Sequence, residues 1–247
     1  MNMNHYLQRI GIHSLTGEKE QDLRSLQRQH LYTVPFENLD VINSVPIKLN
    51  LTNIYHKIVN NERGGFCYEL NGLFNWLLEK LDYKVTMISA TISTGKNQWY
   101  KANSHLTNLV TINERDYLVD VGCGDTVRSP ILLTGEIVED ISGKYRIQAV
   151  DDIFFDLQKH MNNEWNTQFR FSKTPREYDF FNEICHWNQT NPQSKFTQQT
   201  IVTIATPNGR VTVTDEHIII TNDDQKSKQA YSTSEFNTIL NYYFDIN

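Results

Sequence analysis

Arg63-Gly-Gly-Phe-Cys67-Tyr-Glu-Leu-Asn71 sets a thiol just behind two glycines and at the head of an apolar run. The glycines let the backbone turn sharply. Leu70, Leu73, Phe74, Leu77, Leu78 and Leu81 then repeat with the 3.6-residue spacing of an amphipathic helix. Cys67 falls in the first turn of that helix. Unpaired N–H groups and the positive end of the helix dipole stabilise a thiolate there. The same N–H groups can form part of an oxyanion hole for an acyl intermediate. A buried core cysteine behind a loop is the competing reading of this segment alone.

His105 and Asp120 supply what a thiol nucleophile needs beside it. Segments 105–112 and 115–122 are rich in Val, Ile, Thr and Tyr and meet at a turn near Asn113-Glu114. A two-residue turn pairs 112 with 115 and sets 105 opposite 122. Asp120 lies two residues from that partner, so His105 and Asp120 leave the same face as diagonal neighbours. A register shifted by two residues puts them directly opposite. In either case the carboxylate can orient the imidazole, and Cys67 presented to that face completes a nucleophile, base and orienter set. Without Cys67, a strand histidine paired with an aspartate is the simpler reading.

The elements that must position these groups follow from patterning. Thr16 is placed to cap a helix whose first turn carries Glu18 and Glu20 and whose face carries Leu23, Leu26 and His30. A further helix runs through Ile54 and Ile58, and the Cys67 helix follows. The middle third reads as strands at 84–93, 105–112, 115–122 and 145–150 and around Phe154 and Phe169, consistent with a small antiparallel sheet or barrel. In the last third a short helix is expected over 177–187 and a hairpin whose strands, 201–205 and 210–214, flank Pro207-Asn208-Gly209. Ser232 and Glu235 form a capping box for a closing helix that buries Phe236, Ile239, Leu240 and Tyr243.

The totals narrow the function classes. The 247 residues suit one enzyme unit of two or three packed subdomains, and 39% hydrophobic content rules against disorder. A net charge of −6 speaks against a nucleic-acid partner, which needs clustered Lys and Arg. No apolar run approaches the roughly 18 residues of a membrane span, and the opening MNMNHYLQRIGIH has no signal-peptide pattern. Cys67, Cys123 and Cys185 are odd in number and far apart, which offers neither a disulfide framework nor a zinc knuckle. The cytoplasm is the expected compartment. The other histidines have no ligand spacing, and no metal is expected.

Several strings occur together and in order: Val34-Pro-Phe-Glu-Asn38, RGGFCYELNG at 63–72, His105 with Leu109-Val110, and Tyr117-Leu-Val-Asp120-Val-Gly122. Asn188, Asn191-Pro192-Gln193-Ser194-Lys195-Phe196 and Thr206-Pro207-Asn208-Gly209 follow. In these the chain resembles an arylamine N-acetyltransferase nearly end to end. The resemblance implies an α+β fold with a helical bundle over 1–83 carrying the nucleophile, a central antiparallel β-barrel over 84–175 carrying His105 and Asp120, and an α/β lid over 176–247. It implies a ping-pong reaction with acetyl-CoA as donor and an aromatic amine, hydrazine or hydroxylamine as acceptor, and its triad carries over onto Cys67, His105 and Asp120.

It further implies that Glu37 and Arg63 brace the loop before the nucleophile and that Thr190 and Ser194 contact the donor. Phe36 and Phe66 are candidates to line the acceptor pocket, with core packing beside Pro and Gly as the competing reading. Cys123 stands where relatives often carry an aromatic, which should widen the pocket. Glu62 replaces a basic residue common before Arg63. The competing functions are a thiol hydrolase or amide synthase with the same triad, and a non-catalytic thiol sensor.

Overall fold

Helices make up the first third of the chain. They are α1 (Met3–Arg9), α2 (Lys19–Thr33), α3 (Leu39–Ile42), α4 (Leu51–Tyr55), extended by a π-helical turn His56–Asn60, and α5 (Cys67–Lys80). The computed structural model describes residues 1–96, 98–223 and 225–247. Thr16 does not cap α2. Its amide and hydroxyl both donate to Asp22 Oδ1 at 2.8 Å, so Asp22 in the first turn reaches back and closes the loop. The α2 N-cap, Glu18, makes no side-chain cap bond.

The α5 helix is more deeply set than its apolar stripe suggests. Leu70, Leu73, Phe74, Leu77 and Leu78 are fully buried among α1, α2 and α4, each burial contributing about 1.5–3 kcal/mol. Its polar face is buried too, against the sheet, and every group there finds a partner. Asn75 Nδ2 donates to Asn108 Oδ1 at 2.8 Å, and Asn108 Nδ2 returns a bond to Asn71 O at 3.0 Å. Buried amides cost little only when so satisfied.

The middle of the chain supplies β2 (Lys84–Gly95), β3 (Gln98–Trp99), β4 (His105–Ile112), β5 (Arg115–Val119) and β6 (Ile131–Leu132). After them come β7 (Val138–Asp140), β8 (Gly143–Ala149), β9 (Phe154–Met161) and β10 (Glu164–Pro175). β1 (Phe36–Glu37) lies earlier, between α2 and α3. The antiparallel order is β6-β5-β4-β2-β10-β9-β8-β7, with β3 on β2, and β6 lies beside β8, so the sheet nearly closes into a barrel. Ile112 pairs with Arg115 and Asn108 with Val119, the register of a two-residue turn. Asn113 and Glu114 take φ of 50° and 62°, the left-handed pair that matches strand twist.

A second sheet, β1-β11-β12-β13-β14, is built from β11 (Val202–Thr206), β12 (Gly209–Val213), β13 (His217–Asn222) and β14 (Gln225–Ala230), with β1 at its edge. Its core, Val202, Val213, Leu240 and Phe244, is shared with α7 (Phe236–Phe244). The helix expected over 177–187 starts later: a 3-10 turn Tyr178–Phe181 leads into α6 (Asn182–Thr190). The hairpin forms within the expected Pro207-Asn208-Gly209 string. Pro207 and Asn208 make the turn, while Gly209 is already in β12, opposite Thr206. A Cβ on Gly209 would sit 1.8 Å from Thr221 O, so this glycine serves close strand approach. Ser232 and Glu235 do form the capping box, through a short 3-10 turn ahead of α7. No described helix is long and apolar enough to cross a membrane. The architecture is α+β.

Candidate active site

Phe66 is the N-cap of α5, so Cys67 is the first helical residue. A phenyl ring cannot cap, and Glu69 takes over: its Oε2 accepts from Phe66 N–H at 3.1 Å. The approach to Cys67 does not use left-handed glycines. Glu62, at φ 53°, makes that turn, and neither Gly64 nor Gly65 has positive φ. Gly64 is instead needed for contact, since a Cβ there would lie 2.1 Å from Pro35 O. Phe36 bridges to Gly65 and pairs with Thr203 on β11, which stitches the loop before the thiol to the C-terminal sheet.

Glu37 and Arg63 anchor this loop within a larger charge cluster. Arg63 Nη2 lies 2.7 Å from Glu37 Oε1 and 3.0 Å from Asp40 Oδ1. Lys57 joins from the π-helical turn, at 2.7 Å from Asp40 and 2.9 Å from Glu69. Burial pushes the Glu69 carboxyl up to about 7 despite Lys57 beside it. Burial would lower the Lys57 pKa, but Glu69, Glu37 and Asp40 raise it above the ordinary lysine value. Removing a wholly buried member strands the others. Glu37→Ala should therefore cost about 3 kcal/mol in urea unfolding. A loss below about 0.5 kcal/mol, the range of an ordinary surface change, would deny the bracing role.

His105 opens β4 and Asp120 follows β5 by one residue, both about 97% buried. His105 Nε2 and Asp120 Oδ2 are 2.5 Å apart. The Cys67 thiol lines the same cavity as that ring. Burial alone would depress the His105 pKa, yet the Asp120 charge and hydrogen bond, with Cys67 adjoining, raise it to about 10. Burial pushes the Asp120 carboxyl up, but His105, Gly122 N–H and Asn71 hold it below the ordinary carboxylate value.

Asn71 is the site residue that the sequence reasoning quoted but did not assign. It lies one helical turn beyond Cys67, on the same face. Its Nδ2 donates to Leu106 O at 2.7 Å and Asp120 Oδ1 at 3.2 Å, and its Oδ1 accepts from Val121 N–H at 2.9 Å. One amide thus ties the thiol's helix to both strands. The spacing of four from the cysteine was the available signal. Gln27 of α2 was missed without one; its Nε2 donates to Asp120 O at 3.3 Å.

A cavity of about 370 Å³ opens over the thiol, lined among others by Phe36, Cys67, His105, Cys123 and Phe196. Phe36 and Cys123 face it. Phe66 is fully buried and packs edge-on to Phe196, 6.1 Å between ring centres, so it backs the wall rather than lining it. Ser194 is also fully buried, with Oγ donating to Asn188 O at 2.8 Å. Thr190 donates to His186 O and borders a separate hollow beside α3. These two hydroxyls are spent on the chain itself and do not line the thiol cavity. Burial pushes the Cys123 and Cys185 thiols up, and Cys185 packs under α5. Among the described residues no group of three or more His, Cys, Asp or Glu is arranged to hold a metal ion.

A buried thiol and imidazole lining one cavity, with a carboxylate bonded to the imidazole, on this α+β frame, fit an enzyme of the cysteine-nucleophile class. The family model for N-acetyltransferases matches residues 21–247. Over 219 residues the chain is 30% identical to the arylamine N-acetyltransferase of Escherichia coli (strain K12), covering 87% of this chain and 77% of that one. The arylamine N-acetyltransferase structure from M. tuberculosis superposes with a TM-score of 0.92 at 28% identity, covering all of this chain and 94% of that one. The Bacillus cereus arylamine N-acetyltransferase structure reaches 0.93 at 23% identity over the full length of both chains; that protein is described with a Cys-His-Glu triad. The chain belongs to the arylamine N-acetyltransferase family.

Proposed function

We propose that the chain carries an acetyl group from acetyl-CoA to the nitrogen of an arylamine, arylhydrazine or related amine, in the cytoplasm, through an acetyl-Cys67 intermediate. The reading rests on one observation: His105 is bonded to Asp120 through Nε2 and lines one cavity with the Cys67 thiol. The proton leaves Cys67 for His105, and Asp120 stabilises the imidazolium. The sulfur attacks the thioester carbonyl. Cys67 N–H, at the first helical position, has no intrahelical acceptor and is available to the oxyanion. Collapse expels the CoA sulfur, which takes the proton from His105.

The acetyl group now sits on Cys67. Donor and acceptor use one cavity, so CoA leaves before the amine enters, which makes the sequence ping-pong. The amine nitrogen attacks, His105 accepts its proton, and the amide departs as the Cys67 sulfur is released. Positioned proton transfer of this kind is worth about 10²–10⁴-fold. Cys67 and His105 are each 3% exposed, which keeps water from the thioester.

Intact mass spectrometry tests this. Acetyl-CoA alone should add one acetyl group to the protein at Cys67, and an arylamine should then remove it as the N-acetyl product. Rapid loss of the acetyl group to water without an amine would favour a hydrolase. No adduct at all would end the proposal.

A further inference from the structure

We propose that Cys67 and Cys123 form a reversible disulfide when hydrogen peroxide enters the cavity, which locks the nucleophile in an inactive but recoverable form. The inference goes beyond the transferase reading: it needs a reactive Cys67 but no acetyl donor.

The placement of the two sulfurs carries it. Cys67, Cys123 and His105 line one cavity of about 370 Å³. A Cβ placed on Gly122 would lie 2.7 Å from the Cys67 Cα, so the residue before Cys123 rests directly on the nucleophile's backbone. The tetrahedral angle at Gly122 and one Cα–Cα step then put the Cα atoms of Cys67 and Cys123 roughly 6–7 Å apart. A disulfide spans about 4.4–6.8 Å between Cα atoms, so the pair stands at the upper end of that range. Any remaining gap falls on a segment free to adjust. β5 ends at Val119 and β6 begins at Ile131, so Cys123 belongs to no strand or helix, and Gly124 after it takes a φ of 70°. Both thiols are free. Cys185 is free as well, but it does not line the cavity, and its Sγ accepts from Gln189 Nε2 at 3.2 Å.

The surroundings divide the roles. Burial pushes the Cys123 thiol up, so it stays protonated and does not react with peroxide itself. Cys67 reacts first. Its sulfur, having passed its proton to His105, attacks the O–O bond, displaces hydroxide and becomes a sulfenic acid. The hydroxide takes the proton back from His105 and leaves as water. Cys123 then gives its proton to the neutral imidazole, and its sulfur attacks the Cys67 sulfur. The S–O bond breaks, and the departing hydroxide takes the proton from His105 as a second water. Two thiols are oxidised to one disulfide, and one peroxide is reduced to two waters. The bridge keeps Cys67 from the irreversible sulfinic acid, and an external thiol undoes it by exchange.

The test treats wild type and Cys123→Ser with hydrogen peroxide and maps the non-reduced peptides by mass spectrometry. Wild type should lose two hydrogens as a single chain and yield a peptide pair joined through Cys67 and Cys123. Dithiothreitol should then return most of its acetylation rate. In Cys123→Ser, Cys67 should gain two oxygens as sulfinic acid. The share of its own starting rate that dithiothreitol returns should be at least about fivefold lower than in wild type. Sulfinic Cys67 without a bridge in wild type overturns the proposal. So does a bridge to Cys185, or equal recovery in the two proteins. The wild-type peptide map decides the matter even if Cys123→Ser fails to fold. A protein that forms the bridge yet takes no acetyl group from acetyl-CoA would refute the transferase reading and leave this one standing.

Discussion

Cys67→Ala is expected to lower kcat/KM for arylamine acetylation by about 10⁵-fold or more, and His105→Ala by a similar factor. In the proposed mechanism the proton of Cys67 passes to His105, so the two groups act as a unit. Removing either leaves the other with nothing to do. The double variant Cys67→Ala with His105→Ala should therefore be no slower than the worse single variant. Steady-state rates for the three proteins decide the matter, with circular dichroism to show that each is folded. Additive losses, in which the double variant multiplies the two single effects, would mean that thiol and imidazole work independently and that the assignment is wrong.

Asp120→Asn should cost about 10³–10⁴-fold in kcat while keeping the side-chain shape, because an amide cannot stabilise the imidazolium form of His105. The same substitution has a signature in stability. His105 is raised from an ordinary value near 6.5 to about 10, so the folded state holds its proton more tightly than the unfolded chain. That contribution is complete below pH about 6.5 and is lost as the pH rises through about 10. Asp120 is held below its ordinary value, so its contribution is present above pH about 4 and is lost as the pH falls below that. The pair stabilises most between these limits.

Thermal midpoints of wild type should therefore fall between pH 7 and pH 10 more steeply than those of Asp120→Asn. The gap should narrow by about 2–4 °C for each kcal/mol of pairing lost. A gap that stays constant across that range would show that His105 is not held protonated by Asp120.

Much of the site was legible in the residues because its logic is local. A thiol after Gly-Gly and before an apolar helical run announces a helix N-terminus, and two β-rich segments around Asn113-Glu114 announce a hairpin whose register aligns His105 with Asp120. What went astray depended on long-range contacts. Thr16 satisfied the capping rule, yet Asp22 claimed it. The hairpin at Pro207-Asn208-Gly209 formed, but Gly209 pairs in β12, where the close approach of β13 requires it. Thr190 and Ser194 are polar and suitably placed in sequence, and only the fold showed that each hydroxyl donates to a nearby backbone carbonyl outside the thiol cavity. Phe66 and Phe36 are alike in chemistry; only packing decided that one faces the cavity and the other stands behind it.

By itself the amino-acid order determined the nucleophile's place at a helix start, the pairing of an imidazole with a carboxylate, and the alternation of helices and strands. Those follow from short-range sterics and from periods of two and 3.6 residues, which any stretch of chain carries within itself. Tertiary structure alone decided that Asn71 would clamp Asp120, that Lys57 and Asp40 would join Glu37 and Arg63 in one charge cluster, and that Asp125 at the cavity would be held by Lys159 and Arg210. Hydrogen bonds and charges act over a few ångströms of space, and only folding brings residues so distant along the chain within that reach.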